Sequence, residues 1–147
     1  MQNPDTYTVE QVEWLTFIDT LRAIRMEVFI VEQQVPQELE WDDQDELSVH
    51  VLALATDDKP VGTGRLLTTG QIGRMAVLKP YRHLGVGTAI LHKLMQIAEV
   101  RGQTDLFLNA QVDAMGFYQR FGFVVQGPVF MEAGIPHRKM VCSPGKG

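Results

Sequence analysis

Apolar positions switch between two periods along the chain, and each switch marks a change of element. Tyr7 to Val12 alternates weakly and predicts a first strand. Ile18, Leu21, Arg25, Val28 and Phe29 then fall on one face at helical spacing, with an arginine among the inward positions. From Glu32 to Leu47 no period survives, and Pro36, Trp41 and a run of acids predict a loop or broken helix. Val49 to Ala55 predicts a strand, Asp57-Asp58-Lys59 a turn, and Val61 to Thr68 the hairpin partner. A third strand begins at Ile72, and its run stops at Pro80. Val86, Ile90, Leu94 and Ile97 mark the inner face of a helix that ends near Gly102. Leu106-Phe107-Leu108 predicts a buried strand, and Ala114 to Phe121 a short helix closed by Gly122. Phe123-Val124-Val125 and His137 to Val141 complete a last antiparallel pair. The order is β-α, a β meander, α, β, α, then β-β. It predicts an α/β chain of the α+β kind, with a central mixed sheet flanked by helices.

At 147 residues the chain is expected to be one domain over 1–147, with 143–147 (Ser-Pro-Gly-Lys-Gly) as a flexible tail. Thirteen basic against eighteen acidic residues give a net charge of −5, which argues against nucleic acid as a partner. The single cysteine, Cys142, has no internal disulfide partner, and the opening Met1-Gln2-Asn3-Pro4-Asp5-Thr6 lacks the character of a signal peptide. No apolar run approaches membrane-spanning length. A cytoplasmic protein without a membrane partner is expected. No His, Cys, Asp or Glu spacing resembles a metal site.

Candidate chemistry concentrates where the Ile72 strand passes through a polar turn into the Val86 helix. Free N–H groups and the macrodipole at a helix start favour an anion. Gly85 and Gly87 lack Cβ atoms, so a phosphate can approach the main chain, and Arg82 adds a fixed charge. A dinucleotide fingerprint would need Gly or Ala where Ile90 stands, and no Walker string occurs. What remains is R-x-x-G-x-G from Arg82 to Gly87 on a strand-turn-helix. It resembles motif A of the GCN5-related N-acetyltransferases (the GNAT superfamily), in which this turn holds the pyrophosphate of acetyl-CoA.

A second stretch, Asn109 to Phe123, puts Phe117 and Phe121 four apart on one helix face, with Tyr118 beside it. A tyrosine so placed is commonly a core aromatic with a wet tip. However, A-x-x-F-Y-x-x-F-G-F resembles motif B of the same family, whose tyrosine faces the CoA sulfur. The resemblance implies an acyl-CoA N-acyltransferase fold and acetyl transfer to an amine. It implies Tyr118 as the catalytic acid and an oxyanion donor in the backbone near Met75 to Val77. Acetyl-CoA would be held by Met75, Ala76, Val77, Arg82, His83, Leu84, Gly85, Val86, Gly87, Thr88, Asn109, Phe117 and Tyr118. Many relatives carry a carboxylate on the motif A strand; this chain has Arg74 there, which leaves the base unassigned.

The first half narrows the branch. Leu21-Arg22, Arg25, Val28-Phe29, Glu32-Gln33, Trp41-Asp42, Asp45 and His50, with His137 and Met140 near the end, look like the ElaA/YjcF-like group. Arg25, Phe29, Glu32, Asp45, His50 and His137 are expected on the acceptor side. The alternatives are solvated pairing for Arg25, with Glu32 or the acidic loop, and a structural role for both histidines. Glu32, Glu38, Glu40, Asp42, Asp43, Asp45 and Glu46 place seven carboxylates within fifteen residues, whose field is expected to draw in a cationic amine. The partners implied are acetyl-CoA and an amine acceptor, with the chain a monomer or homodimer. One rival resemblance is to N-acyl-homoserine lactone synthases, which use S-adenosylmethionine and an acyl carrier. It rests on Arg25, Phe29, Trp41, Asp42, Asp45 and Arg65. A non-catalytic acyl-CoA-binding sensor is the other alternative.

Overall fold

The computed structural model describes residues 7–142, and the tail expected over 143–147 lies outside them. β1 (Thr8–Val12), β2 (Val49–Leu54), β3 (Pro60–Leu66) and β4 (Ile72–Val77) form an antiparallel sheet in sequence order. β5 (Leu106–Gln111), β6 (Val124–Val125), β7 (Phe130–Glu132) and β8 (Ile135–Cys142) form a second one, with β8 between β5 and β6 and β7 also paired to β8. The mixed character of the expected sheet comes down to one parallel bridge. Gln71 pairs with Phe107, whose N–H donates to Gly70 O at 3.1 Å. Among the described residues no further bridge joins β4 to β5, so the strands are unpaired towards Val77 and Gln111, and the opening between them is the candidate cleft.

β7 is the element that periodicity did not predict. It pairs with β8 through the two-residue turn Ala133-Gly134, both at positive φ (53° and 76°), the geometry of a type I′ hairpin.

Helices cover both faces of the first sheet, because successive strand residues point to opposite sides. α1 (Trp14–Arg25) and its π-helical continuation Met26–Glu32 put Trp14, Leu21, Ile24 and Val28 against Leu52 and Ala76. A short α2 (Gln37–Glu40) and a 3-10 turn (Asp45–Leu47) break up the acidic stretch, as its lost period suggests. On the other face, α3 (Val86–Val100) buries Val86, Ile90, Leu91 and Leu94 against Val51, Ala53, Leu108 and Met140. It sits close on β3. A Cβ on Gly64 would lie 2.7 Å from Ile90 Cγ2 and 2.9 Å from Leu94 Cδ1, so only glycine fits beneath this helix. α4 (Met115–Gln119) follows a 3-10 turn, and it is shorter than the helix expected over Ala114 to Phe121.

Ion pairs fix the acidic segment against β3 and β4. Arg25 is 1% exposed, and its guanidinium lies between the Trp14 and Trp41 rings, 5.6 and 5.1 Å from their centroids. It donates from Nε to Glu40 Oε2 (2.7 Å), from Nη1 to Asp45 Oδ1 (2.9 Å) and from Nη2 to Glu40 O (3.1 Å). Arg65 donates to both carboxylate oxygens of Asp42 (2.8 and 3.0 Å) and to Asp45 Oδ1 (3.0 Å). Burial pushes the Glu40 carboxyl above its ordinary range despite the nearby arginines. Burial opposes the Asp42 charge too, but there the Arg65 hydrogen bonds prevail and hold its pKa down.

His50 closes the network. Its Nε2 lies 2.8 Å from Asp45 O, and its ring stacks on Trp14 at 4.8 Å. Desolvation depresses its pKa below 6.5, so the folded state holds a neutral imidazole.

Two outcomes follow for stability. Asp45→Asn leaves two buried guanidiniums short of a counter-charge, so it should cost about 3–5 kcal/mol and lower Tm by roughly 10 °C or more. A shift of only one or two degrees in a melting curve would contradict this placement. His50 has a depressed folded pKa, so its contribution is complete above the unfolded value of 6.5 and is lost as pH falls from there through the folded value. Tm should therefore drop more steeply between neutral and mildly acidic pH in the wild type than in His50→Gln. Parallel slopes would rule that out.

Candidate active site

The turn after β4 is built around a helix start with nothing of its own to fill it. Gly85 is the N-cap of α3 at φ +87°, with no capping side chain, and the first helical turn holds no acid. The N–H groups of Val86, Gly87 and Thr88 thus open the helix without partners within it. A Cβ on Gly85 would meet nothing within 4 Å, though its φ disfavours one. On Gly87 a Cβ would meet Phe117 Cζ at 3.7 Å, Phe117 Cε1 at 3.9 Å and Val77 Cγ2 at 4.0 Å, all ordinary contacts. Packing therefore does not require glycine at position 87. His83, at φ +63°, and Leu84 form the exposed crest of the turn.

Arg82 departs from expectation. Its guanidinium is forked onto Glu32, with Nη1 to Oε2 at 2.5 Å and Nη2 to Oε1 at 2.6 Å, while Nε donates to Val77 O at 2.8 Å. The hydrogen-bonded arginine lowers the Glu32 pKa. This charge is thus neutralised by a residue of the π-helix. Arg82 braces the turn, and Glu32 is held away from the role of acceptor ligand.

The parted strands bring the second stretch to the cleft. Tyr118 on α4 donates its hydroxyl to Met75 Sδ on β4 at 3.9 Å, while its ring meets Phe117 edge-on at 5.1 Å and Phe123 at 6.2 Å. Burial pushes the Tyr118 phenol up to about 12. Phe117 and Phe121 touch at 5.5 Å but are only half-buried, and the deep anchor of this segment is Phe123. Val77 packs on the α3 side and Ala76 on the α1 side, so β4 separates the two faces here. On β5, Asn109 lies on the less buried face, opposite Lys139. A neighbour on that face, Gln111, donates from Nε2 to Gln33 Oε1 at 3.0 Å and ties β5 to the end of the π-helix.

Between β3 and β4 the register shifts. Thr63 pairs with Ala76 and Arg65 with Gly73, so Arg74 and Met75 have no partner in β3. Arg74 has φ +48°, where a non-glycine residue costs roughly 1–3 kcal/mol. This is a β-bulge in the middle of the candidate site.

Most of the expected acceptor residues point elsewhere. Arg25, Asp45 and His50 are buried in the ion network, so pairing with the acidic loop, buried rather than solvated, describes them. Phe29 packs with the Trp14 cluster. His137 is buried, with Nδ1 2.7 Å from Ile135 O and its ring stacked on Phe130. The expected acidic field is largely cancelled as well. Glu32, Glu40, Asp42 and Asp45 are paired with arginines, which leaves Glu38, Asp43 and Glu46 exposed and without an arginine. The six residues shared with lactone synthases fall in this same scaffold, where Trp41 covers Arg25 and Phe29 packs beside it. The buried pairing of Glu40 with Arg25 and Arg74 and the Gln33–Gln111 link escaped sequence reasoning, since nothing in an acidic run or a lone glutamine marks its partner. A separate cavity of about 780 Å³ lies beside α1, lined by Ala23, Ile24, Glu27, Lys59, Leu78 and Lys79 among others, and includes neither Met75 nor Tyr118.

The acetyltransferase (GNAT) domain family matches residues 4–144. The uncharacterised N-acetyltransferase YjcF of Bacillus subtilis is 39% identical over 122 residues, covering 80% of this chain and 86% of YjcF. Protein ElaA of Escherichia coli is 32% identical over 125 residues, covering 80% of this chain and 81% of ElaA. The crystal structure of Escherichia coli ElaA superimposes with a TM-score of 0.82 at 27% identity, over 93% of this chain and 99% of that one. An acyl-CoA N-acyltransferase from Pseudomonas aeruginosa gives 0.82 at 30% identity, over 93% and 98%. The chain therefore belongs to the GNAT acetyltransferase family, in the branch that includes YjcF and ElaA.

Proposed function

We propose that the chain is a cytoplasmic N-acetyltransferase that moves an acetyl group from acetyl-CoA to a primary amine of a small molecule or peptide, directly, with both substrates bound. The observation that carries this reading is the Tyr118 hydroxyl at the cleft, whose hydrogen-bond partner is a thioether 3.9 Å away. A thioether is a weak acceptor, so a desolvated phenol gains by meeting a better one. The sulfur leaving a thioester becomes such an acceptor as it takes on negative charge. With its pKa near 12, Tyr118 stays neutral at any ordinary pH. A cysteine-like thiol titrates near ~8.5, so full proton transfer from this phenol would run uphill. Its role is a hydrogen bond donated to the developing thiolate.

The bulge supports the other half of the chemistry. With Met75 unpaired to β3, its N–H is a candidate donor to the thioester oxygen as charge builds there. One such donor is worth about 2.7–4 kcal/mol. The α3 N-terminus, with Gly85 and Gly87, suits the pyrophosphate. Arg74 is committed to ion pairs where many relatives carry a carboxylate, so the amine loses its proton to water before attack.

Gly87→Glu should abolish the thermal shift given by CoA while the apo protein keeps its Tm, because a Cβ is accommodated there but a carboxylate opposes the phosphate. An undiminished CoA shift would put the phosphate elsewhere. Tyr118→Phe removes one hydrogen-bond donor to developing charge, so it should lower kcat by ~10²-fold with acetyl-CoA affinity nearly unchanged. The wild-type rate should rise with pH as the amine deprotonates, with no fall near pH 10, since the phenol titrates about two units higher. An alkaline fall near 10 that disappears in Tyr118→Phe would contradict a desolvated phenol. CoA binding with no turnover across a broad amine panel would favour the sensor.

A further inference from the structure

We propose that Arg74 is a positioning residue for acyl transfer, clamping the β4 bulge so that the Met75 N–H faces the acyl oxygen. This inference rests on the acyl-transfer reading above. Bulges with a left-handed first residue are usually made with glycine, which adopts that φ without cost. Here the position carries a long cationic side chain at φ +48°, so something outside the strand must hold it.

The holding contacts all come from one distant segment. Arg74 Nη2 donates to Leu39 O (3.3 Å), Glu40 O (3.2 Å) and Asp42 Oδ2 (3.1 Å), and its Nε lies 3.2 Å from Glu40 Oε2. That segment is itself immobilised, by Arg25 through Glu40 and Asp45 and by Arg65 through Asp42 and Asp45. Asp42 is the decisive link. Arg65 is paired to Gly73, on one side of the register shift, and Arg74 is the first unpaired residue beyond it. A single carboxylate binds both, receiving Arg65 on Oδ1 and Oδ2 and Arg74 on Oδ2. The bulge is thus bracketed by its own two arginines on one anion.

The next residue is Met75, whose side chain receives the Tyr118 hydroxyl and whose N–H is the proposed donor. A clamp at Arg74 sets both at once. The cation on the motif A strand therefore fixes the geometry of the site and takes no part in proton transfer.

Glycine is the informative substitution, because it tolerates the positive φ and so keeps the fold, while without the Arg74 contacts the bulge is no longer confined to one geometry. Arg74→Gly should lower kcat roughly 10–100-fold, as expected for a misplaced donor. By calorimetry its affinity for CoA should match wild type, while its affinity for acetyl-CoA should fall below wild type. Asp42→Asn should act on the same clamp, so the double variant should be little worse in kcat than the poorer single one. Arg74→Gly with wild-type kcat and wild-type acetyl-CoA affinity would overturn the inference alone. So would a loss of CoA affinity in proportion to kcat, because the phosphate turn would then be disturbed. A wild-type protein that binds no CoA would overturn the acyl-transfer reading and this inference together.

Discussion

The parting of β4 from β5 after a single bridge is the constraint on which the candidate site depends. Had the parallel ladder continued, each strand would satisfy the other and no cleft would separate them. The bulge at Arg74 works in the same direction. It adds a residue to β4, bends the strand and strengthens its local twist. What the parting exposes is edge backbone facing an aromatic cluster, a setting suited to an extended ligand that borrows strand hydrogen bonds. The turn proposed to hold the phosphates then follows directly from β4, so one strand links the two ends of the proposed acyl-CoA site.

Charge is used in this chain mainly to hold shape. Three arginines and three carboxylates knot the segment between the π-helix and β2 onto β3 and β4, and a separate Arg82–Glu32 pair braces the motif turn. Buried ion pairs stabilise weakly against well-packed apolar residues, because desolvation offsets much of the attraction. They do define which group sits against which, since a misplaced partner leaves a buried charge alone. That demand fits a loop with no apolar period of its own.

The parts legible in the sequence are those whose signal is local. Val86, Ile90 and Leu94 repeat at helical spacing because one face of α3 must be dry, and the burial follows that spacing. The two motifs could be placed because each is a contiguous string whose glycines and aromatics do their work within a few residues. The rest is non-local. Arg82 reads as a phosphate ligand until Glu32, fifty positions earlier, arrives beside it. Arg74 reads as a departure from the family until Glu40 and Asp42 show what it binds. β7 stayed hidden because Met131 and Glu132 are exposed, which leaves no apolar alternation to detect.

The most direct test of the proposed site is an amide-resolved NMR titration with acetyl-CoA. The largest shifts should fall on Val86, Gly87 and Thr88 at the helix start, on Met75 and Val77 along β4, and on the Phe117–Tyr118 pair. Shifts concentrated instead around the separate cavity beside α1, at Ala23, Glu27 and Lys79, with the α3 N-terminus unmoved, would contradict this placement of the cofactor and the chemistry built on it.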